Sequence, residues 1–343
     1  MTSHKDLKTL IRERQDKTGE SYTAARALVM RARAELLGLP DVPQPPERQR
    51  DVEAIVLKVS ERSTRVRILT EDVQVAVRTS DTWDVVPGHV VTLVVKKRWN
   101  WMGHAYASGT LEDPHIDIAK LGLTPLPLHD FELADDLRSA YDPFERREPY
   151  FPLWQKLTAK PRASCDMDPI AWGAFPDAKD PEDNPTFDAT DLAEAGDVGG
   201  ARALLMDVLL RDLRCLDAHA HLGNLAFDLW PERAMAHYEV GVRIGELSLP
   251  LGYDGVLLWG CIYNRPFLRC LHGYGLCLWR LGRTWEAEAV FERILSLNPP
   301  DNQGARFCWD DVRSGRNWDE MWAREEVERT ERRRQLGREA LPA

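Results

Sequence analysis

In the segment LHGYGLCLWRLGRTWEAEAVFERILSLNP, residues 271–299, small and large side chains fall at fixed intervals. Gly275 is followed seven positions on by Gly282; Ala287 lies twelve beyond Gly275, Phe291 four beyond Ala287 and Pro299 eight beyond Phe291. The spacing predicts a helix, a turn, a second helix and a stop. Gly275 and Ala287 fall where paired helices approach too closely for a larger side chain, Phe291 fills the groove between them, and Pro299 ends the second helix. AHLGNLAFDLWPERAMAHYEVG places Gly223, Ala234 and Tyr238 in the same order, with the first interval one residue short and Pro231 in the turn. LAEAGDVGGARALLMDVLLRD carries Gly196, Ala201 and Leu205 at the spacings of Gly282, Ala287 and Phe291. Three helical hairpins over about 183–301 follow, each able to bury its apolar face only against its neighbours.

This pattern resembles the tetratricopeptide (TPR) repeat, over about residues 183–310. The run NRPFLR…LWRLGR…NPPDNQGAR is similar to that of a set of bacterial TPR proteins, mostly of undefined role. The resemblance implies a repeat fold and no particular reaction. It also implies a concave surface lined mainly by the first helix of each pair. Asn224, directly after Gly223, stands where some TPR clamps hold an asparagine that grips a peptide backbone or terminal carboxylate. Asn264, Arg265, Arg269, Asn302 and Arg306 lie near hairpin ends, where they either face a ligand or satisfy helix-terminal carbonyls. The stretch LPLGYDGVLLWGCIYNRPFLRC is too long for an inter-repeat turn. It is expected to lengthen one helix and add a loop ending at Asn264, Arg265 and Pro266.

Upstream the period changes. Residues 1–38 read as a helical hairpin: Leu7, Leu10 and Ile11 form one apolar stripe, and Tyr22, Ala25, Leu28, Val29 and Leu36 another, with a break at Gly19 and Ser21. Four prolines between 39 and 50 predict a semi-rigid linker. Residues 51–112 hold short β-branched runs with alternation; Val66 and Ile68 face one way, Arg65 and Arg67 the other. Five such strands predict a small closed β-barrel of OB or SH3-like shape. Residues 113–182 are rich in proline, acids and aromatics, and are expected to wrap onto a neighbouring domain, with a short helix around Phe131–Tyr141. The tail, 318–343, reads as a polar capping helix. The fold class is therefore multidomain α+β: helical hairpin, small five-stranded barrel, and C-terminal TPR-like array over 183–317.

The net charge of −10 is unevenly spread. Residues 1–50 carry +3, 51–112 balance to zero, 113–191 carry −9 and the remainder −4. Nucleic-acid binding by bulk electrostatics is thereby disfavoured, and a local basic patch has room only in the first hundred residues. One exists in Lys96, Lys97, Arg98, Trp99, Trp101 and Tyr106, a composition suited to single-stranded nucleic acid. The alternative is that both tryptophans plug the barrel end. No nucleophile motif or phosphate-binding loop is present. Cys215 and His219 are one helical turn apart, but His221 diverges and no second ligand pair completes a zinc tetrahedron. Six cysteines with no C-x-x-C fit reduced thiols, and neither a secretory signal nor a membrane-spanning run is read. The expectation is a cytoplasmic, non-enzymatic scaffold or adaptor with no cofactor and no membrane contact, binding a protein segment through a TPR-like groove. The alternative is a nucleic-acid-associated factor that uses the barrel patch.

Overall fold

The structure, a computed structural model, describes residues 12, 14, 25, 29, 51–80, 82–130, 146, 148–168 and 184–339, the side chains of 325 and 333–339 excepted. The chain divides into two compact units, Met1–Arg50 and Asp51–Ala343. In the first, Arg12, Arg14, Ala25 and Val29 are helical and Ala25 is buried. The rest of the expected hairpin and the linker lie outside the described residues, as does the expected helix around Phe131–Tyr141.

Alternating β-branched residues build five strands at the start of the second unit: β1 (Val52–Ser60), β2 (Ser63–Ile68), β3 (Val73–Arg78), β4 (Val90–Trp101) and β5 (His104–His115). They close into a barrel in the order β1-β2-β3-β5-β4. The β3–β5 pair is parallel and the others antiparallel. That parallel pair is consistent with the OB-like of the two expected shapes. Ala54, Val56, Val66, Ile68, Val75, Val77, Val91, Leu93 and Ala107 are buried in the barrel. β4 and β5 are joined through Met102 and Gly103, both with positive φ, the backbone that a two-residue hairpin turn requires.

After the barrel come α1 (Ile118–Leu121), β6 (Leu128–Asp130), α2 (Phe151–Leu157) and β7 (Cys165–Met167), which pairs with β6. Then follow α3 (Pro185–Glu194), α4 (Val198–Arg211), α5 (Leu216–Phe227), α6 (Pro231–Leu247), α7 (Arg265–Arg280), α8 (Thr284–Leu297), α9 (Ala305–Arg313) and α10 (Trp318–Glu339). Consecutive helices from α3 to α9 pack on one another, α5 also touches α7, and α10 packs on α7. Pro231 is the first residue of α6, where a missing N–H costs no helical hydrogen bond. The insertion between α6 and α7 stays mostly non-helical and ends in a 3-10 turn, Ile262–Asn264.

Packing sets the helix separations. The Tyr238 ring of α6 is wedged between Gly223 of α5 and Gly273 of α7; a Cβ at either would stand 2.5 or 2.3 Å from the ring. In the next pair Phe291, fully buried, lies against Gly275. The barrel is not a separate body. Ile55 and Leu57 of β1 share one apolar cluster with Leu205, Met206 and Leu209 of α4, and Lys58 pairs with Asp207 at its edge.

Of the described residues of 113–168, 113–115 end β5 and α1 lies against the barrel, where Lys120 pairs with Glu53 at 2.8 Å and Arg67 donates to the Leu121 carbonyl at 2.9 Å; the later ones lie on the helices. Tyr150, buried, donates its hydroxyl hydrogen to the Pro299 carbonyl at 2.8 Å. The Arg162 guanidinium donates to the carbonyls of Ser296 (2.7 Å) and Gly255 (2.8 Å). At the far end the Trp318 ring meets Trp279 edge-on at 5.4 Å and closes the α7 end.

Candidate functional site

Two surfaces collect the side chains that matter. The first begins on α5. Asp217, buried near its start, receives Arg269 Nη1 of α7 at 2.8 Å and faces His221 at 3.7 Å. Burial, then Arg269, pulls His221 below the ordinary histidine range, opposed by Asp217. Two turns on, Asn224 Oδ1 accepts a hydrogen bond from the Tyr238 hydroxyl at 2.6 Å. That contact fixes the amide and leaves its nitrogen without a partner among the described residues.

Asn224, Tyr238, Arg269, His272, Leu276 and Gln303 surround a cavity of about 340 Å³ with Phe227, Asp228 and Gly273. On α7 the lining residues Arg269, His272, Gly273 and Leu276 fall at positions i, i+3, i+4 and i+7, one helical stripe. His272 Nε2 and Gln303 Oε1 are buried with no hydrogen-bond partner, and burial holds the His272 imidazole at a pKa of about 4. The cavity thus presents the Asn224 amide and the Arg269 guanidinium above an aromatic and aliphatic floor, with the His272 and Gln303 acceptors buried in its wall.

The six residues expected to bind a peptide do not converge. Asn224 and Arg269 line the cavity. Asn302 is exposed beside Gln303 but does not line it. Asn264 is fully buried: Oδ1 accepts from the Met167 N–H at 2.9 Å and Nδ2 donates to the Cys165 carbonyl at 3.0 Å, so the side chain pins β7 to the array. Arg265 donates to the Trp259 carbonyl at 2.9 Å and lies over the Trp259 ring. Arg306 is held between Asp301 (2.8 Å) and Glu148 (2.7 Å). These last three serve the fold. His272 and Gln303 were missed by sequence reasoning, although the stripe starting at Arg269 carries the signal for His272.

The second surface is the outer face of the barrel. The register between β4 and β5 shifts at Val95 and Lys97, where one residue of β4 bulges. Strict alternation from buried Val91 and Leu93 would turn Lys97, Trp99 and Trp101 inward. The bulge turns them outward instead. Pairing then aligns Trp99 with Tyr106, Ala76 and Arg65, and Lys97 with Ser108 and Arg78. Trp99 and Tyr106 are near-parallel at 5.8 Å, Trp101 meets Tyr106 at 6.4 Å, and Arg78 and Lys97 stand 5.9 and 5.8 Å from the Trp99 ring centre. Of the expected patch, Lys97, Trp99, Trp101 and Tyr106 come together, and Lys96 is exposed at the bulge. Arg98 pairs with Ala107 in the inward-facing row, and its Nη1 donates to both carboxylate oxygens of Glu71 at 2.7 and 2.9 Å. Arg65, Arg78 and His104 join the face through the sheet register.

An open depression of about 630 Å³ lies between His115–Ile118 and α6, with Glu239 and Arg243 on its rim. Among the described residues no three His, Cys, Asp or Glu side chains gather to hold a metal ion. Cys215 and His219 are buried apart from His221, and His219 Nε2 is bonded to the Leu213 carbonyl at 2.9 Å. All six cysteines are free thiols. Among the described residues no helix is long and apolar enough to cross a membrane. Compared with protein-family models, with curated proteins and with solved structures, the chain matches none.

Proposed function

We propose that this protein is a non-enzymatic adaptor whose helical array, of tetratricopeptide type, takes an extended segment of another protein into the groove between α5, α7 and the start of α9. The observation that carries this reading is the gathering of Asn224, Arg269, His272 and Gln303 around one cavity. An extended peptide presents alternating carbonyl acceptors and N–H donors. Asn224 Nδ2 and the Arg269 guanidinium match the former. Asn224 is already oriented by Tyr238, so less side-chain entropy is lost on association. The described residues of the acidic middle segment do not line the cavity, and so leave it open.

The reading is tested by selecting binders from a displayed library of random ten- to twelve-residue peptides against the full chain. Peptides should emerge whose affinity falls tenfold or more in Asn224→Ala and in Arg269→Ala and is unchanged in Trp285→Ala. A library that yields no binders, or binders indifferent to both groove substitutions, contradicts it.

A further inference from the structure

We infer that the outer face of β2-β3-β5-β4 binds single-stranded nucleic acid, independently of the helical groove. Three observations converge. The first is charge. Most cations in the described residues are spent on carboxylates or carbonyls, as Arg98 is on Glu71 and Arg306 on Asp301 and Glu148. Arg65, Arg78 and Lys97 are exposed on one face and have no carboxylate partner among the described residues. A chain of net charge −10 that leaves three aligned cations unneutralised carries a local complement to a polyanion.

The second is the kind of polyanion. Trp99, Trp101 and Tyr106 stand among these cations, and Trp101 keeps 59% of its surface exposed. A heparin-like chain or an acidic peptide uses the cations but has no flat rings to lay on the indoles. Nucleobases have them, and they are reachable only where they are unpaired. The third is spacing. Trp99 and Trp101 are two residues apart on one strand, about 6.7 Å, room for neighbouring bases of a stretched single strand. The bulge at Lys96 that turns these rings outward also turns Lys97 outward, so rings and cation are presented by one local irregularity.

The experiment is fluorescence anisotropy of the full chain with labelled twelve-nucleotide oligo-dT and oligo-rU. A twelve-base-pair duplex and a poly-glutamate of equal length are run alongside, at 50 and 200 mM salt. One or both single strands should bind more tightly than duplex and poly-glutamate. With three phosphate contacts, affinity should fall about 20-fold between the two salts. Trp101→Ala should weaken binding about fivefold or more, and Arg78→Glu by at least as much. Trp285→Ala, a still more exposed tryptophan on α8, should change nothing, and unaltered melting of each variant excludes unfolding as the cause. A preference for dT or rU identifies the strand. No binding of either strand at 50 mM salt, equal binding of duplex or poly-glutamate, or loss in Trp285→Ala as large as in Trp101→Ala would overturn the inference.

Discussion

Tyr238 shows how one side chain joins packing to the site. Its ring separates α5 from α7, and its hydroxyl holds Asn224 at the cavity edge. Gly273→Ala places a methyl 2.3 Å from that ring, so the helices must part; the expected loss is about 1–3 kcal/mol, read as a lower denaturant midpoint with an unchanged slope. Buried histidines give a second prediction. Burial first, and neighbouring His115 next, hold His89 at about 4; burial holds His219 at about 4 and His237 well below the ordinary value, with His219 and Arg233 adding to the latter. The unfolded chain therefore takes up protons below about pH 6.5 that the folded chain refuses. Their contribution to stability is complete above that pH and is lost as pH falls toward 4, at up to about 1.4 kcal/mol per histidine per pH unit. Urea midpoints at pH 7.5 and 5.5 should differ markedly; equal midpoints contradict the burial of neutral imidazoles.

At the scale of elements, the bulge in β4 decides which way the basic run faces. Deleting Lys96 removes the extra residue and lets the Val95–Gly109 and Lys97–Ser108 pairs follow one another in regular register, so Lys97, Trp99 and Trp101 stay on the outer face and Arg98 stays in the inward row. The expected outcome is a folded chain whose single-strand binding is retained; a loss larger than in Trp101→Ala contradicts the register. This element also marks what the sequence makes legible. Alternation in TRVRILT is sufficient to place Val66 and Ile68 inside and Arg65 and Arg67 outside, because β2 is regular over its length. The orientation of KKRWNW depends on the pairing of Val95 with Gly109 and Lys97 with Ser108, a long-range fact that no local period encodes. The same holds in the helices. Gly, Ala and aromatic spacing locates close approaches such as Gly275 against Phe291, a local consequence of helix geometry. Whether Asn264 faces a groove or pins β7 depends on where residues nearly a hundred positions away return to the array. Trp285 of α8 is 75% exposed, whereas Trp279, six positions earlier on α7, is buried.

For the whole molecule, the shared core of β1 and α4 argues against treating the barrel as an autonomous part. An isolated 51–112 fragment would leave Ile55, Leu57 and their neighbours without the cover of Leu205, Met206 and Leu209. It is expected to self-associate, while 51–343 remains monodisperse and unfolds in one transition; sedimentation of the two checks this. A monomeric, cooperatively folded 51–112 fragment contradicts the shared core. The account's central claim, a peptide groove on the inner helices, is tested most directly by photocrosslinking. With p-benzoylphenylalanine placed at position 276, inside the cavity, a library-selected peptide should form an adduct, and placed at position 285, on the outer surface of α8, it should form none. Adducts from 285 and none from 276 would place the ligand elsewhere and contradict the groove.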